Sequence, residues 1–149
     1  MMENIYNFLK LSESLFTSGM PTPEQISSVA ENGAQVVINL ATFKSEGWMP
    51  NEKELVEAQS VRYYNIPVEW SNPTAENLSE FMSIMDRHKN EKVLVHCQAN
   101  YRATGFATLY RINRLGLAKE DALKDLHKIW NPTEYPVWEK FIEENISPK

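Results

Sequence analysis

The sequence is poor in the residues that staple small proteins. It has one cysteine in 149 residues, so no intramolecular disulfide can form and a cysteine-based structural zinc cluster is excluded. Its three histidines, His88, His96 and His127, show no ligand spacing, and no metal or other cofactor is expected. Positive charge is also short. Lys and Arg number 15 against 20 Asp and Glu, a net charge of −5, which argues against nucleic acid as a partner because non-specific binding needs a basic surface. No apolar run approaches the ~20 residues of a membrane span, so no membrane partner is expected either.

What remains is an ordinary globular composition, 42% hydrophobic and 23% charged. A chain of this length buries about 68–70% of its unfolded surface on folding, so it needs no covalent staple. Nothing reads as a linker, repeat or low-complexity tract, and one domain over residues 1–149 is expected. The start, MMENIYNFLKLSESLF, lacks the basic region and uninterrupted apolar core of a signal peptide. The expected compartment is the cytoplasm, or the periplasm if a native leader has been removed ahead of the doubled Met.

Along the chain, helical and strand patterns alternate. Thr22-Pro23-Glu24-Gln25 predicts a capped helix start, with Pro at the first helical position and Gln25 closing the capping box. Gly33 ends that helix. Val36 to Leu40 is a β-branched apolar run, the mark of a buried strand. Asn51 with Glu54 caps a short helix to about Ser60, and Tyr63 to Val68 is the next strand, leaving the sheet near Pro67. Leu78, Phe81, Met82 and Met85 fall at helical spacing. Lys92 to His96 is a third buried strand. A helix follows residue 102 and closes at Gly116, and helices at about 119–130 and 134–146 complete the chain. His88 and His127 read as helix-surface residues. The pattern predicts an α/β fold: a mainly parallel central sheet of about four to five strands with helices on both faces. Ligands in such sheets bind beyond the carboxyl ends of the strands.

At one such end stands His96-Cys97-Gln98-Ala99-Asn100-Tyr101-Arg102-Ala103-Thr104-Gly105. A buried strand runs into a cysteine, a tight turn, an arginine and a helix start. Turn amides converging on one point form an anion nest, and a helix N-terminus adds positive potential. The same surroundings favour a thiolate, and a guanidinium grips phosphate with paired hydrogen bonds. One feature thus both binds an anion and prepares a nucleophile. The turn has no glycine between Cys97 and Arg102, and Asn100 is the residue best suited to positive φ there.

This pattern resembles the cysteine-dependent protein tyrosine and dual-specificity phosphatases, whose signature is a strand, His-Cys, five residues, Arg, Ser or Thr, often Gly, then a helix. The resemblance extends to Leu15-Phe16-Thr17-Ser18-Gly19, Pro21-Thr22-Pro23-Glu24-Gln25, Val37-Ile38-Asn39-Leu40 and Tyr64-Asn65-Ile66-Pro67-Val68. It covers about residues 11–116 and is nearest to the small bacterial branch of that superfamily. It implies a dual-specificity-phosphatase-like fold. It also implies Cys97 as nucleophile, residues 98–103 (Gln98, Ala99, Asn100, Tyr101, Arg102 and Ala103) as the phosphate-binding loop, and His96 as the residue that orients it. Thr104 either caps the helix or steadies the thiolate as it leaves phosphocysteine. The implied partner is a phosphorylated protein or a small phosphomonoester, and no metal is needed because the loop supplies the positive field.

Two departures from the family pattern stand out. His96, Cys97, Thr104 and Gly105 hold the family register, but Arg102 is the fifth residue after the cysteine instead of the sixth. A one-residue deletion would restore the arginine but move Thr104 and Gly105 out of step. The second departure is the general acid. In the family an Asp on the loop after the strand ending in Pro67-Val68 protonates the leaving oxygen; here Trp70 takes that place, with Glu69 adjacent as the candidate acid. Loss of acid catalysis costs about 10²–10⁴-fold. Three functions follow from these residues: phosphomonoester hydrolysis, phosphate or phosphoprotein binding with little turnover, and, ranked last, rhodanese-type sulfur transfer.

Overall fold

The computed structural model describes residues 2–147. Its strands are β1 (Leu9–Lys10), β2 (Leu15–Ser18), β3 (Val36–Asn39), β4 (Arg62–Asn65) and β5 (Val93–His96). They form one sheet in the order β1-β2-β5-β3-β4. β1 is an antiparallel edge strand, and the other pairings are parallel. β5, which carries the His-Cys pair at its end, is therefore the central strand. His96 lies in register with Ser18 of β2 and Asn39 of β3.

The helices are α1 (Pro23–Glu31), α2 (Glu52–Glu57), α3 (Ala75–Arg87), α4 (Tyr101–Asn113), α5 (Lys119–Leu126) and α6 (Pro136–Glu144), with short 3-10 turns at Met2–Asn4 and Pro132–Glu134. Side chains alternate across each strand, which splits the core in two. Val36, Ile38, Val93, Val95 and Cys97 pack with Phe81 of α3, Phe106 of α4 and Trp138 of α6 on one face. Val37, Leu94 and Phe16 pack with Ile26 and Val29 of α1 and Val56 of α2 on the other. The fully buried aliphatic and aromatic side chains each contribute roughly 1.5–3 kcal/mol of transfer free energy. This is the expected α/β arrangement, with helices on both sides of a mainly parallel sheet.

Local signals account for several element ends. The Thr22 capping box forms as expected, with Gln25 N donating to Thr22 Oγ1 and Thr22 N to Gln25 Oε1. Thr74 and Asn77 make a second one at α3. Asn51 makes no side-chain cap at α2. β4 stops at Asn65, short of the expected Val68, although Val68 N still donates to Leu40 O at 3.1 Å. α4 begins at Tyr101, earlier than the sequence suggested. α5 ends at Leu126, with His127 as its C-cap. His88 is corrected most clearly. It is buried at the C-cap of α3, between the Tyr64 hydroxyl at 2.8 Å and Glu91 Oε1 at 2.6 Å. No described helix is long and apolar enough to cross a membrane.

Candidate active site

The turn after β5 is short because Asn100 makes it alone. Asn100 is in the left-handed region (φ 72°, ψ 2°) and is the residue from which α4 starts. Asn accepts this conformation better than most residues. A reciprocal clamp to the N-terminal segment holds it: Asn100 Nδ2 donates to Asn7 O at 2.7 Å, and Asn7 Nδ2 donates to Ala99 O at 3.1 Å. Gly19 passes close behind. A Cβ there would meet Gln98 O and Tyr6 Cδ2 at 2.7 Å each, so this position requires glycine.

The loop carbonyls all point away from the cleft. Cys97 O faces His96 Nδ1 at 3.3 Å, Gln98 O accepts from Met20 N at 3.0 Å, Ala99 O from Asn7, and Asn100 O from Thr104 N and Oγ1. Across a planar trans peptide the C=O and the next N–H are opposed. The amides of Gln98, Ala99 and Tyr101 are therefore turned away from those partners, toward the open side. That is how a nest for an anion is built from backbone alone.

The open side is a cleft of about 340 Å³ lined by Trp70, Cys97, Gln98, Ala99, Tyr101, Arg102 and Tyr135. Cys97 is 1% exposed and forms its floor. Arg102, in the first turn of α4, is buried. Its Nη1 donates to Val68 O at 2.9 Å and its Nη2 lies 3.5 Å from Ser45 Oγ. A guanidinium has five N–H donors in a fixed fork, so these bonds anchor it and still leave donors for an anion. Arg102 also borders an adjoining cleft of about 180 Å³ with Thr42, Lys44, Ser45, Glu69, Trp70 and Gln98.

The sequence-derived residues thus separate. Cys97, Gln98, Ala99, Tyr101 and Arg102 come together in one cleft. Asn100 and Ala103 lie buried beneath it. Glu69 is exposed on the adjoining cleft, beside Arg102 and Lys44. Thr104 Oγ1 gives its single proton to Asn100 O at 2.7 Å, a bond back along α4 and not a cap, and accepts from Trp130 Nε1 at 2.9 Å, which ties the loop to an indole.

Aromatic rings build the cleft wall. Tyr101 stacks on Trp130 at 4.8 Å and 7°, and Trp70 stacks on Trp138 at 5.3 Å and 21°. Tyr135 meets Trp70 edge-on at 5.2 Å. Trp138 Nε1 donates to Trp70 O at 2.7 Å, fixing the backbone of the loop that carries Trp70. Burial raises the Tyr101 pKa above its ordinary value, and the neighbouring Tyr135 adds to the rise. Such ring pairs contribute about 0.5–1.5 kcal/mol each beyond their buried area.

Besides Tyr135 of the cleft wall, sequence reasoning missed three supporting contributors. Ser45 and the Gln98 side chain organise the loop edge, with Gln98 Oε1 accepting from Glu46 N at 2.8 Å. Glu52, behind the site, places Oε2 2.5 Å from His96 Nε2. No local signal marks any of them, because each acts on residues at least 44 positions away.

Comparison with known proteins places this geometry. No curated protein matches the chain. The solved structure of "Putative phosphatase (DUF442)" from Shewanella putrefaciens CN-32 is 35% identical, with a TM-score of 0.87, over 97% of this chain and 93% of that one. Two more distant structures share the fold. Pseudomonas aeruginosa TpbA, in complex with pTyr, has a TM-score of 0.72 at 16% identity over 91% of this chain and 82% of its own. The core catalytic domain of the PP-IP phosphatase SIW14 from Saccharomyces cerevisiae has a TM-score of 0.75 at 16% identity over 93% and 85%. Residues 6–132 match the family model for DSP-PTPase phosphatase fused to NAD+ kinase. With that match and the 35% identical relative, the chain belongs to this phosphatase family of the dual-specificity and tyrosine phosphatase superfamily.

Proposed function

We propose that this protein hydrolyses phosphomonoesters through a phosphocysteine intermediate, as a single phosphatase-like domain. The observation that carries the reading is the cleft floor: a lone cysteine ringed by outward-turned carbonyls, inward-turned amides and one anchored guanidinium. Cys97 attacks phosphorus as the thiolate, an S–P bond forms, and the ester P–O bond breaks with its electron pair on the leaving oxygen. The amides and Arg102 stabilise the equatorial oxygens, which carry the charge in the transition state. Water then attacks phosphorus, the S–P bond breaks, and inorganic phosphate leaves with the thiolate restored.

The leaving oxygen takes its proton from Glu69 after a shift of its loop, or from solvent. A phenolate leaves more readily than a serine alkoxide. Trp70, Tyr101 and Tyr135 line the mouth with flat apolar surface that an aryl group can stack on. Aryl phosphates, phosphotyrosine among them, are therefore the favoured substrates; the pTyr complex of TpbA, a fold neighbour, agrees with that choice.

One observation favours a second reading, a domain that captures phosphate or a phosphoprotein with little turnover. Among the described residues no carboxylate lines the Cys97 cleft, and Trp70 stands where the resemblance puts the family's acid. Turnover of p-nitrophenyl phosphate in EDTA, with Cys97→Ser as control, tests the first reading. A rate the substitution leaves unchanged ends it, and phosphate affinity without turnover supports the second. Sulfur transfer from thiosulfate to cyanide checks the rhodanese-type alternative.

A further inference from the structure

β5 presents a second set of chemical groups on the face opposite Cys97, and the reaction above makes no use of them. His96 points there, fully buried, toward the start of α2. Its Nε2 lies 2.5 Å from Glu52 Oε2, and Glu52 is itself only 1% exposed. Glu52 Oε1 accepts from Asn39 Nδ2 at 2.9 Å and from the Tyr63 hydroxyl at 3.3 Å, and Asn39 Nδ2 also reaches that hydroxyl at 3.0 Å. The Tyr63 pKa is raised, by burial first and then by the Glu52 charge. Ser18, the remaining neighbour in register, turns its hydroxyl to Gly19 O at 2.8 Å and brings no charge. Glu54, exposed on α2, is the other charged group felt at Tyr63.

Hydrogen-bond bookkeeping fixes the protons. The Cys97 carbonyl can only accept, so His96 Nδ1 carries one. The proton between Nε2 and Oε2 is assigned to the ring, because Oε1 of the same carboxylate already accepts from two donors. Either ion alone at this depth would be costly, and each is tolerated because of the other. The ring is thus a donor at both nitrogens. Its Nδ1–H fixes the Cys97 carbonyl, and the planar trans peptide then aims the Gln98 N–H the opposite way, into the cleft.

We propose that Glu52 is a positioning residue of the anion site: its carboxylate holds His96 as a doubly protonated clamp on the Cys97 carbonyl, and so aims the Gln98 amide at a bound phosphate. The proposal rests on the anion-site part of the function above, but not on turnover. Its test uses the single cysteine. Iodoacetamide alkylates Cys97, and inorganic phosphate protects it in proportion to occupancy. In Glu52→Gln the side-chain carbonyl keeps Asn39 and Tyr63, while its amide N–H donates to Nε2. Shape and bonding survive, and the ring becomes neutral. A charged donor bonds about twice as strongly as a neutral one, and the expected result is a phosphate concentration for half protection raised about threefold to tenfold, with the thermal midpoint little changed.

Nitrogen NMR of the ring supplies the readout that a merely structural role would not move. Both His96 nitrogens should be protonated at neutral pH in the wild type, and Nε2 should lose its proton in Glu52→Gln. A folded Glu52→Gln protein that phosphate protects as well as the wild type overturns the proposal. If the variant does not fold, the wild-type spectrum decides, and one unprotonated ring nitrogen overturns it. Phosphate that fails to protect the wild type overturns the anion site and the proposal together. Protection without turnover overturns hydrolysis alone.

Discussion

The two faces of the sheet end in different chemistry, although the same strand feeds both. On one face Cys97 opens into a cleft walled by Trp70, Tyr101 and Tyr135, and behind them Phe81, Phe106, Trp130, Trp138 and Phe141 fill the core. On the other, His96, Glu52, Asn39 and Tyr63 form a closed polar network under an aliphatic layer of Ile26, Val29, Val37 and Leu94. The period of two along β5 separates them by one residue. The face that meets the ligand carries backbone donors and one arginine. The face that never meets it carries the buried ion pair. The cleft thereby gets a fixed loop without placing a carboxylate beside an anion, where it would repel.

That contrast can be broken from either side. The largest effect should come from the aromatic face. Trp138 is fully buried, and Trp138→Ala should cost about 3–5 kcal/mol of stability, read as a lower denaturant midpoint. It should also free Trp70 O, so substrate affinity falls in whatever fraction stays folded. Next, Arg102→Ala should lower kcat/KM by about 10²–10³-fold, the usual loss for one donor to a developing anion. Arg102→Lys should not restore it, because an ammonium cannot hold Val68 O and an anion in one planar fork. A small loss for either variant would mean that Arg102 serves only the Val68 loop.

Gly19→Ala sharpens the role of the turn between the faces. The new Cβ would sit 2.7 Å from Gln98 O, and relieving that contact should cost about 1–3 kcal/mol and weaken phosphate protection of Cys97. Its stability cost without any loss of protection would show that the loop tolerates displacement. The smallest effect lies at the edge. Asp125 of α5 pairs with Arg111 of α4 at 2.8 Å and with Lys128 at 3.0 Å. Burial there works to raise its pKa, but the hydrogen bonds from Arg111 and Lys128 outweigh it and the pKa is lowered. The pair therefore stabilises the fold fully above the ordinary value of 3.8, and the contribution fades as pH falls through the lowered one. Asp125→Asn should cost about 1 kcal/mol or less at neutral pH and flatten that acid-side loss, as denaturant midpoints across the acid range would show.

Much of this was written locally in the sequence, and what was not has a common physical cause. The Thr22-Pro23-Gln25 start, the apolar runs of β3 and β5 and the helical spacing of Leu78, Phe81, Met82 and Met85 are contained within a few residues, and all form. The positive φ at Asn100 was readable from the absence of glycine in the loop. The helix start at Tyr101 was not, because the Asn7 clamp that sets it comes from 93 residues away. Nothing local sets Glu52 apart from the other acidic residue in the first turn of α2. Only the packing of α2 against β4 and α1 brings it to His96 and buries it. His88 misled for the same reason, since Tyr64 reaches it across the sheet edge. Trp70 and Tyr135 become one wall only when α6 packs back against the Trp70 loop.

The account rests on Cys97 acting as a nucleophile on phosphorus within its amide nest, and one comparison tests that directly. Release of p-nitrophenol from p-nitrophenyl phosphate in EDTA is measured for the wild type and for Cys97→Ser, with inorganic phosphate binding followed in both. The account predicts metal-independent turnover in the wild type and a fall of at least ~10³-fold in the variant, as for loss of other covalent nucleophiles, with phosphate still bound. Equal rates in the two proteins would contradict it.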